Sequence, residues 1–193
     1  MKKILLFFLA AAVALSSISC SLKENVYTQT DETFVKDASM AETVLYGLYR
    51  KLGVDGIYGL NLSMIFNFST DESKPEGSTL VGMRIEGFNA FNSASTYVQQ
   101  SWQALYSAVY DTNYYIEMIN RKMSEFTEND QKKAQIYLAE AHAIRGLLYF
   151  ELVRWFGNVP LVTSTSESSK KAEEFKQADP VKVYEQIETD LKY

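Results

Sequence analysis

One cysteine and one histidine are all that 193 residues contain of the two softer metal ligands. A lone cysteine excludes a disulfide framework within the chain. His142 has no second histidine or cysteine at ligand spacing, so no metal site is expected. Prolines number three: Pro75 in a glycine-rich stretch, Pro160 beyond a helix stop, and Pro180 in the first turn of another helix. Basic residues are outnumbered, 19 Lys and Arg against 24 Asp and Glu. With no Lys/Arg-rich stripe to displace phosphate counterions, nucleic-acid binding is disfavoured. Glycine-rich phosphate loops followed by the required lysine, and Gly-x-Ser-x-Gly elbows, are also missing. Adjacent carboxylates occur at Asp71-Glu72 and Glu173-Glu174, in polar stretches where such pairs are solvated. No catalytic residue, cofactor or metal is therefore expected, and the chain does not read as an enzyme.

The cysteine, Cys20, ends a segment with a basic start (Lys2, Lys3), an apolar run over residues 4–15, and Ser16-Ser17-Ile18-Ser19. This is the layout of a secretory signal whose cut leaves a cysteine first. Residues 1–19 read as a signal peptide and Cys20 as a lipid attachment site. The apolar run is too short for a bilayer span, which needs roughly 20 residues. Ser17 stands where lipoprotein signals usually place leucine, and Ser17-Ile18-Ser19 would also suit ordinary signal peptidase, leaving a free thiol. The absence of a partner cysteine favours lipidation. Lys2 and Lys3 leave with the signal, so 17 basic residues then face 24 acidic ones, a net charge of −7 on 174 residues. That length suffices for one domain with a real core.

Residues 20–36 read as a lipidated tether and 37–193 as the domain. Ala41, Val44, Leu45, Leu48 and Leu52 recur at helical spacing and predict a helix over 37–52 that stops at Gly53. Six of nine glycines then fall within 53–95, which reads as a long irregular surface insertion with one short helix at 60–68. A stripe of Val98, Trp102, Leu105, Val109, Thr112, Ile116, Ile119 and Met123 predicts one helix over 96–123. Thr127 offers an N-cap, and Ala134, Leu138, Ala141, Arg145, Leu148, Leu152 and Trp155 carry a second stripe that stops at Gly157. A short turn between two such helices makes an antiparallel hairpin, and Ala139, Ala141, Ala143 and Gly146 permit close approach. Residues 163–178 read as an exposed linker, after which Asp179-Pro180 opens a helix bearing Val183, Tyr184, Ile187 and Leu191. That helix reaches Tyr193 without a C-cap, so the sequence reads as a fragment in which a second hairpin is opened and not closed.

Arg145 is the anomaly, a cation on an apolar stripe, and a structural role is expected with Asn113 or Asp111 of the facing helix as its acceptor. His142 has only Glu140 and Arg145 as charged helical neighbours and reads as a packed structural histidine.

The residues Trp102-Gln103-Ala104-Leu105-Tyr106, Asn113, Ile116, Glu140-Ala141, Arg145-Gly146-Leu147-Leu148-Tyr149-Phe150, Leu152 and Phe156-Gly157-Asn158-Val159-Pro160-Leu161 form a recognisable set. With the closing Val183-Tyr184, Ile187 and Asp190-Leu191, it resembles the amino-terminal region of SusD/RagB-type outer-membrane lipoproteins. The resemblance covers nearly all of the mature chain. It implies a mostly α-helical fold of tetratricopeptide-like antiparallel hairpins with a long irregular loop insertion, truncated at its carboxy end. It further implies a lipid-anchored protein on the outer face of the cell outer membrane. Such a protein binds a glycan or peptide nutrient and caps a SusC-like TonB-dependent transporter. Trp102, Asn113, Arg145, Gly157 and Pro160 are the structural candidates. Ser69-Thr70-Asp71-Glu72 resembles a family segment after which starch-binding members carry a tryptophan platform, but Ser73-Lys74-Pro75-Glu76-Gly77 holds no aromatic, so starch is disfavoured. The ligand-binding candidates are Asp71 and the generic aromatics Phe88, Phe91 and Tyr97. Two other readings stay open: a tetratricopeptide-like protein-interaction adaptor, and a fragment of a lipid-anchored glycan hydrolase.

Overall fold

The computed structural model describes residues 34–68, 70–73, 95–168 and 172–193, and among these every regular element is helical. Residues 1–33, with Cys20, lie outside the described residues, as do Phe88 and Phe91. Helix α1, Ala38–Leu52, starts where Asp37 accepts a hydrogen bond from the Met40 N–H at 2.9 Å, satisfying one of the first-turn donors that an α-helix leaves unpaired. Arg50 and Lys51 occupy its last turn, where the helix dipole favours cations.

The stretch after α1 differs from the expected surface insertion over its first third. A π turn, Asp55–Gly59, leads into α2, Asn61–Phe68, and together they bury Ile57, Asn61, Leu62 and Ile65 against the rest of the domain. Gly56 explains how the backbone docks so closely. A Cβ there would lie 2.6 Å from Ala104 Cβ and 2.9 Å from the Gln100 carbonyl oxygen, both on the next long helix. Glycine richness, read as conformational freedom, here marks close approach of two backbones instead.

The two long helices are α3, Thr96–Lys122, and α4, Glu128–Phe156. Their apolar stripes meet: Leu105, Val109, Ile116 and Ile119 on α3, and Leu138, Ala141, Leu148 and Leu152 on α4, are buried. The turn between them is stapled by Gln131, whose amide donates to the Met123 and Phe126 carbonyls at 3.1 Å each. Thr127 caps α4 by accepting from the Asp130 N–H at 3.2 Å.

Helix α4 is the centre of the domain and packs against α1, α3 and the last helix. Its second half is therefore buried on more than one face, with Ile144, Gly146, Tyr149, Glu151 and Val153 added to the stripe. Of the small residues expected to allow close approach, Ala143 is exposed. Ala141 is buried in the hairpin stripe, and Gly146 serves the last helix: a Cβ there would meet Leu191, Asp190 and the Ile187 carbonyl at 3.5–3.6 Å. That helix is α6, Pro180–Leu191, reached through a four-residue α5, Thr165–Ser168. Asp179 caps it on the Val181 N–H. It ends at Leu191 and not at Tyr193, the Lys192 N–H bonding to the Glu188 and Thr189 carbonyls. Val183 and Ile187 are buried, while Tyr184 and Leu191, expected on the same apolar face, are exposed.

Helix α4 stops at Gly157, which adopts φ 70° and ψ −113° while its N–H returns to the Val153 carbonyl at 3.0 Å. L-residues rarely enter that region. Since a Cβ at Gly157 would meet nothing within 4 Å, Gly157→Ala isolates the backbone cost. We expect a loss of about 1–3 kcal/mol in denaturant unfolding with an unchanged m-value.

Candidate ligand surface

Two polar groupings stand out, one buried and one at the surface. In the first, Asp190 of α6 has a fully buried side chain and accepts from Arg145 of α4 twice, from Nε at 2.9 Å and from Nη2 at 2.6 Å. Gln186 donates to the same carboxylate at 3.1 Å, and His142 Nδ1 lies 2.8 Å from its Oδ1. Arg145 Nη1 donates to Asn113 Oδ1 at 2.9 Å and to the Thr163 carbonyl at 3.2 Å. Asn113 was one of the two expected acceptors. The other, Asp111, pairs with Lys51 at 2.7 Å. His142 takes an acid partner from outside its own helix, Asp190 of α6, and its ring stacks on Tyr193 with centroids 4.0 Å apart.

Burial pushes the Asp190 carboxyl up, but the bonds from Arg145 and His142 outweigh it and hold the group below the ordinary aspartate value. A depressed folded-state value contributes stability in full above the unfolded value, ~3.9, and loses it as pH falls through the folded value. We therefore expect the gap in thermal midpoint between the wild type and Asp190→Asn to be wide at pH 7 and to close below about pH 4. A gap independent of pH would show that the carboxylate charge is not what is being stabilised.

The segment after α4 is tied down more firmly than a linker. Tyr149 OH donates to the Val162 carbonyl and accepts from the Val162 N–H, both at 2.7 Å. Tyr106 OH donates to the Pro160 carbonyl at 2.7 Å, and Thr165 N–H to Glu117 at 2.8 Å. Trp102 packs edge-on to Phe156 and beside Tyr106, with centroids 5.0 and 4.7 Å away. The structure thus brings Trp102, Gly157 and Pro160 to one end of the hairpin, and Asn113 joins them through its 2.9 Å bond to the Val162 carbonyl. An open apolar cleft of about 580 Å³ lies beside them, between α3 and the segment running from Pro160 through α5 to Phe175.

The second grouping surrounds Glu151 on α4. Its carboxylate is buried and accepts three bonds, from Tyr58 OH at 2.7 Å, Arg154 Nη2 at 2.6 Å and Trp155 Nε1 at 2.9 Å. Burial first, and then the bond to Glu151, pushes the Tyr58 phenol well up, so it remains a donor. Held from below in this way, Arg154 lies over the rings of Phe66, Phe150 and Trp155 at 5.8, 5.3 and 5.6 Å. Phe66, at the end of α2, is 55% exposed and meets Trp155 edge-on at 6.4 Å. A pocket of about 270 Å³ opens here, lined by Tyr58, Leu62, Ser63, Phe66, Asn67 and Arg154. Exposed flat rings with amide and guanidinium donors at their edge suit a flat polar ligand, which stacks on the rings and hydrogen-bonds around them. The larger cleft is lined mainly by aromatic and aliphatic side chains and holds no guanidinium or side-chain amide among its described lining residues.

Of the expected ligand residues, Asp71 is exposed on the turn after α2, where Thr70 and Ser73 hydroxyls donate to the Asn67 carbonyl at 2.8 and 2.6 Å. It thus follows directly on the pocket. Tyr97 is half-buried in the first turn of α3, its carbonyl accepting from Asn61 at 3.4 Å, and does not line the pocket. Tyr58, Phe66, Glu151 and Arg154 were not anticipated. The i, i+3 and i, i+4 spacing of Glu151, Arg154 and Trp155 was a readable signal.

These features define a tetratricopeptide-like helical protein that presents an aromatic and guanidinium surface at one end of its hairpins. The chain belongs to the SusD-like family, described as starch-binding and associating with the outer membrane, whose profile matches residues 22–193. It is 24% identical to SusD-like protein P2 of Formosa agariphila over 100% of this chain and 37% of that protein. Against the crystal structure of a SusD homolog from Bacteroides thetaiotaomicron the TM-score is 0.79 at 45% identity, covering 84% of this chain and 30% of that one. A laminarin-binding SusD-like protein gives a TM-score of 0.62 at 26% identity, with 86% and 33% covered. The chain thus spans about a third of the length of these relatives.

Proposed function

We propose that the protein is a non-catalytic, surface-exposed nutrient-binding lipoprotein, anchored through Cys20 in the outer membrane. In this reading it captures an oligosaccharide and delivers it to a SusC-like TonB-dependent transporter. The observation that carries the glycan part is the pocket at the end of α2, with exposed Phe66, the stacked Arg154 and the Asn67 amide three positions before Thr70-Asp71-Glu72. The laminarin-binding relative supports a glucan or similar neutral oligosaccharide as one ligand class. Phe66→Ala removes the most exposed ring of the surface while leaving the Glu151 bonds in place. Affinity electrophoresis in gels containing laminarin should show retardation of the wild type and a loss of about tenfold or more in affinity for the variant, in line with about 1–3 kcal/mol per stacking platform. Equal retardation of the two would move the ligand surface elsewhere. Co-purification with a co-expressed SusC-like transporter, retained in the Phe66→Ala variant, would separate transporter binding from glycan binding.

A further inference from the structure

We infer that the α2-end pocket discriminates in favour of glycans carrying a carboxylate, with Arg154 as the specificity-determining residue. This rests on the glycan-binding reading above and adds the ligand's charge to it. Arg154 is the only charged residue lining the pocket among those described, and its side chain is 42% exposed. The buried Glu151 carboxylate takes a single Nη2 hydrogen, and no other bond from the guanidinium occurs among the described residues. An arginine presents five N–H groups arranged as two edges, each a parallel pair that includes one Nη2 hydrogen. Whichever of the two Nη2 hydrogens Glu151 takes, one complete edge is left for a bidentate partner. A planar carboxylate is the group that matches such an edge.

The surroundings favour the same ligand. Tyr58 OH is already donated to Glu151, and the Ser63 hydroxyl to the Tyr58 carbonyl at 3.1 Å. The Asn67 amide gives one hydrogen to the Ser63 carbonyl at 2.8 Å. The pocket's remaining polarity is thus dominated by the guanidinium edge, which an acceptor-rich group satisfies better than a hydroxyl. Three aromatic rings hold the guanidinium plane in place before any ligand arrives, so little side-chain entropy is lost on forming the pair.

The test is isothermal titration of the full chain with oligogalacturonate, alginate oligosaccharide, the methyl-esterified form of each, laminarin oligosaccharide and a sulfated galactan oligosaccharide. At least one free uronate should bind about tenfold tighter than its methyl ester, the difference should shrink with added salt, and Arg154→Met should abolish it. Arg154→Lys, which keeps the charge but not the paired N–H edge, should retain only part of it. Equal binding of acid and ester for both uronates, a preference that survives in Arg154→Met, or tighter binding of the sulfated probe would each overturn the inference. Laminarin bound with no uronate preference would overturn it while leaving the glycan-binding reading intact. Binding of none of the probes would remove both.

Discussion

Arg145→Met should destabilise the domain by about 3–5 kcal/mol, a fall in thermal midpoint of roughly 6–20 °C for a domain of this size. Methionine can fill most of the same path through the core, so the effect comes from charge and not from a cavity. Without the guanidinium, the buried Asp190 carboxylate keeps only His142 and Gln186, and Asn113 Oδ1 and the Thr163 carbonyl each lose a donor. Removing one partner of a buried pair leaves an uncompensated charge, which is why the loss exceeds that of an exposed ion pair. The double variant Arg145→Met with Asp190→Leu has no charge to strand and should recover much of the loss. A single-variant midpoint within about 2 °C of the wild type would mean that water reaches Asp190 when arginine is gone.

Gly56→Ala should cost about 2–3 kcal/mol although it adds one methyl group. The added Cβ would stand 2.6 Å from Ala104 Cβ and 2.9 Å from the Gln100 carbonyl oxygen, and neither belongs to a flexible side-chain end that could swing aside. Helix α3 is held by the core, so the π turn must lift and expose Ile57, which is fully buried in the native fold. Gly47→Ala is the contrasting control. It lies in α1 with nothing within 4 Å of its added Cβ, so the higher helix propensity of alanine should stabilise by up to ~1 kcal/mol. Parallel urea titrations check both. Similar midpoints for the two variants would show that the Gly56 contact relaxes freely. Because Tyr58 sits on the same turn, Gly56→Ala should also weaken ligand binding at the Phe66 surface, whereas Gly47→Ala should not.

Local signals carried the fold: Leu105, Val109, Leu138 and Leu152 announce their burial through helical periodicity, and Thr127, Asp179 and Gly157 announce helix ends through capping chemistry. Apart from the bond of Arg145 to Asn113, interactions between distant residues were not visible. Asp190 meets Arg145 across 45 residues and Tyr58 meets Glu151 across 93, and no local pattern ties either pair together. Asp111 was a reasonable acceptor for Arg145 on helix geometry alone, but α1 supplies Lys51 to it first. Gly56 misled for a different reason. Glycine permits both an unusual backbone and a close neighbour, and the sequence does not separate the two. Of the candidate ligand surface, sequence reasoning named only Asp71, close to it in the chain, whereas the helical spacing of Glu151, Arg154 and Trp155 was the local signal for the residues that build it.

The same helix that carries Glu151 and Arg154 is pinned nine residues earlier by Arg145 and closed off three residues later at Gly157. Both ends of that stretch are bonded in place, by Arg145 to Asp190 and Asn113 on one side and by the Gly157 N–H to the Val153 carbonyl on the other. If this surface binds ligand as proposed, adaptability to ligands of different shape would come from the α2 side, where Phe66 is exposed near the end of a helix of eight residues. On the proposed reading, one wall of the pocket would act as a fixed gauge for charge and the other as an adjustable gauge for shape, a division of labour that would let related chains change one preference without disturbing the other.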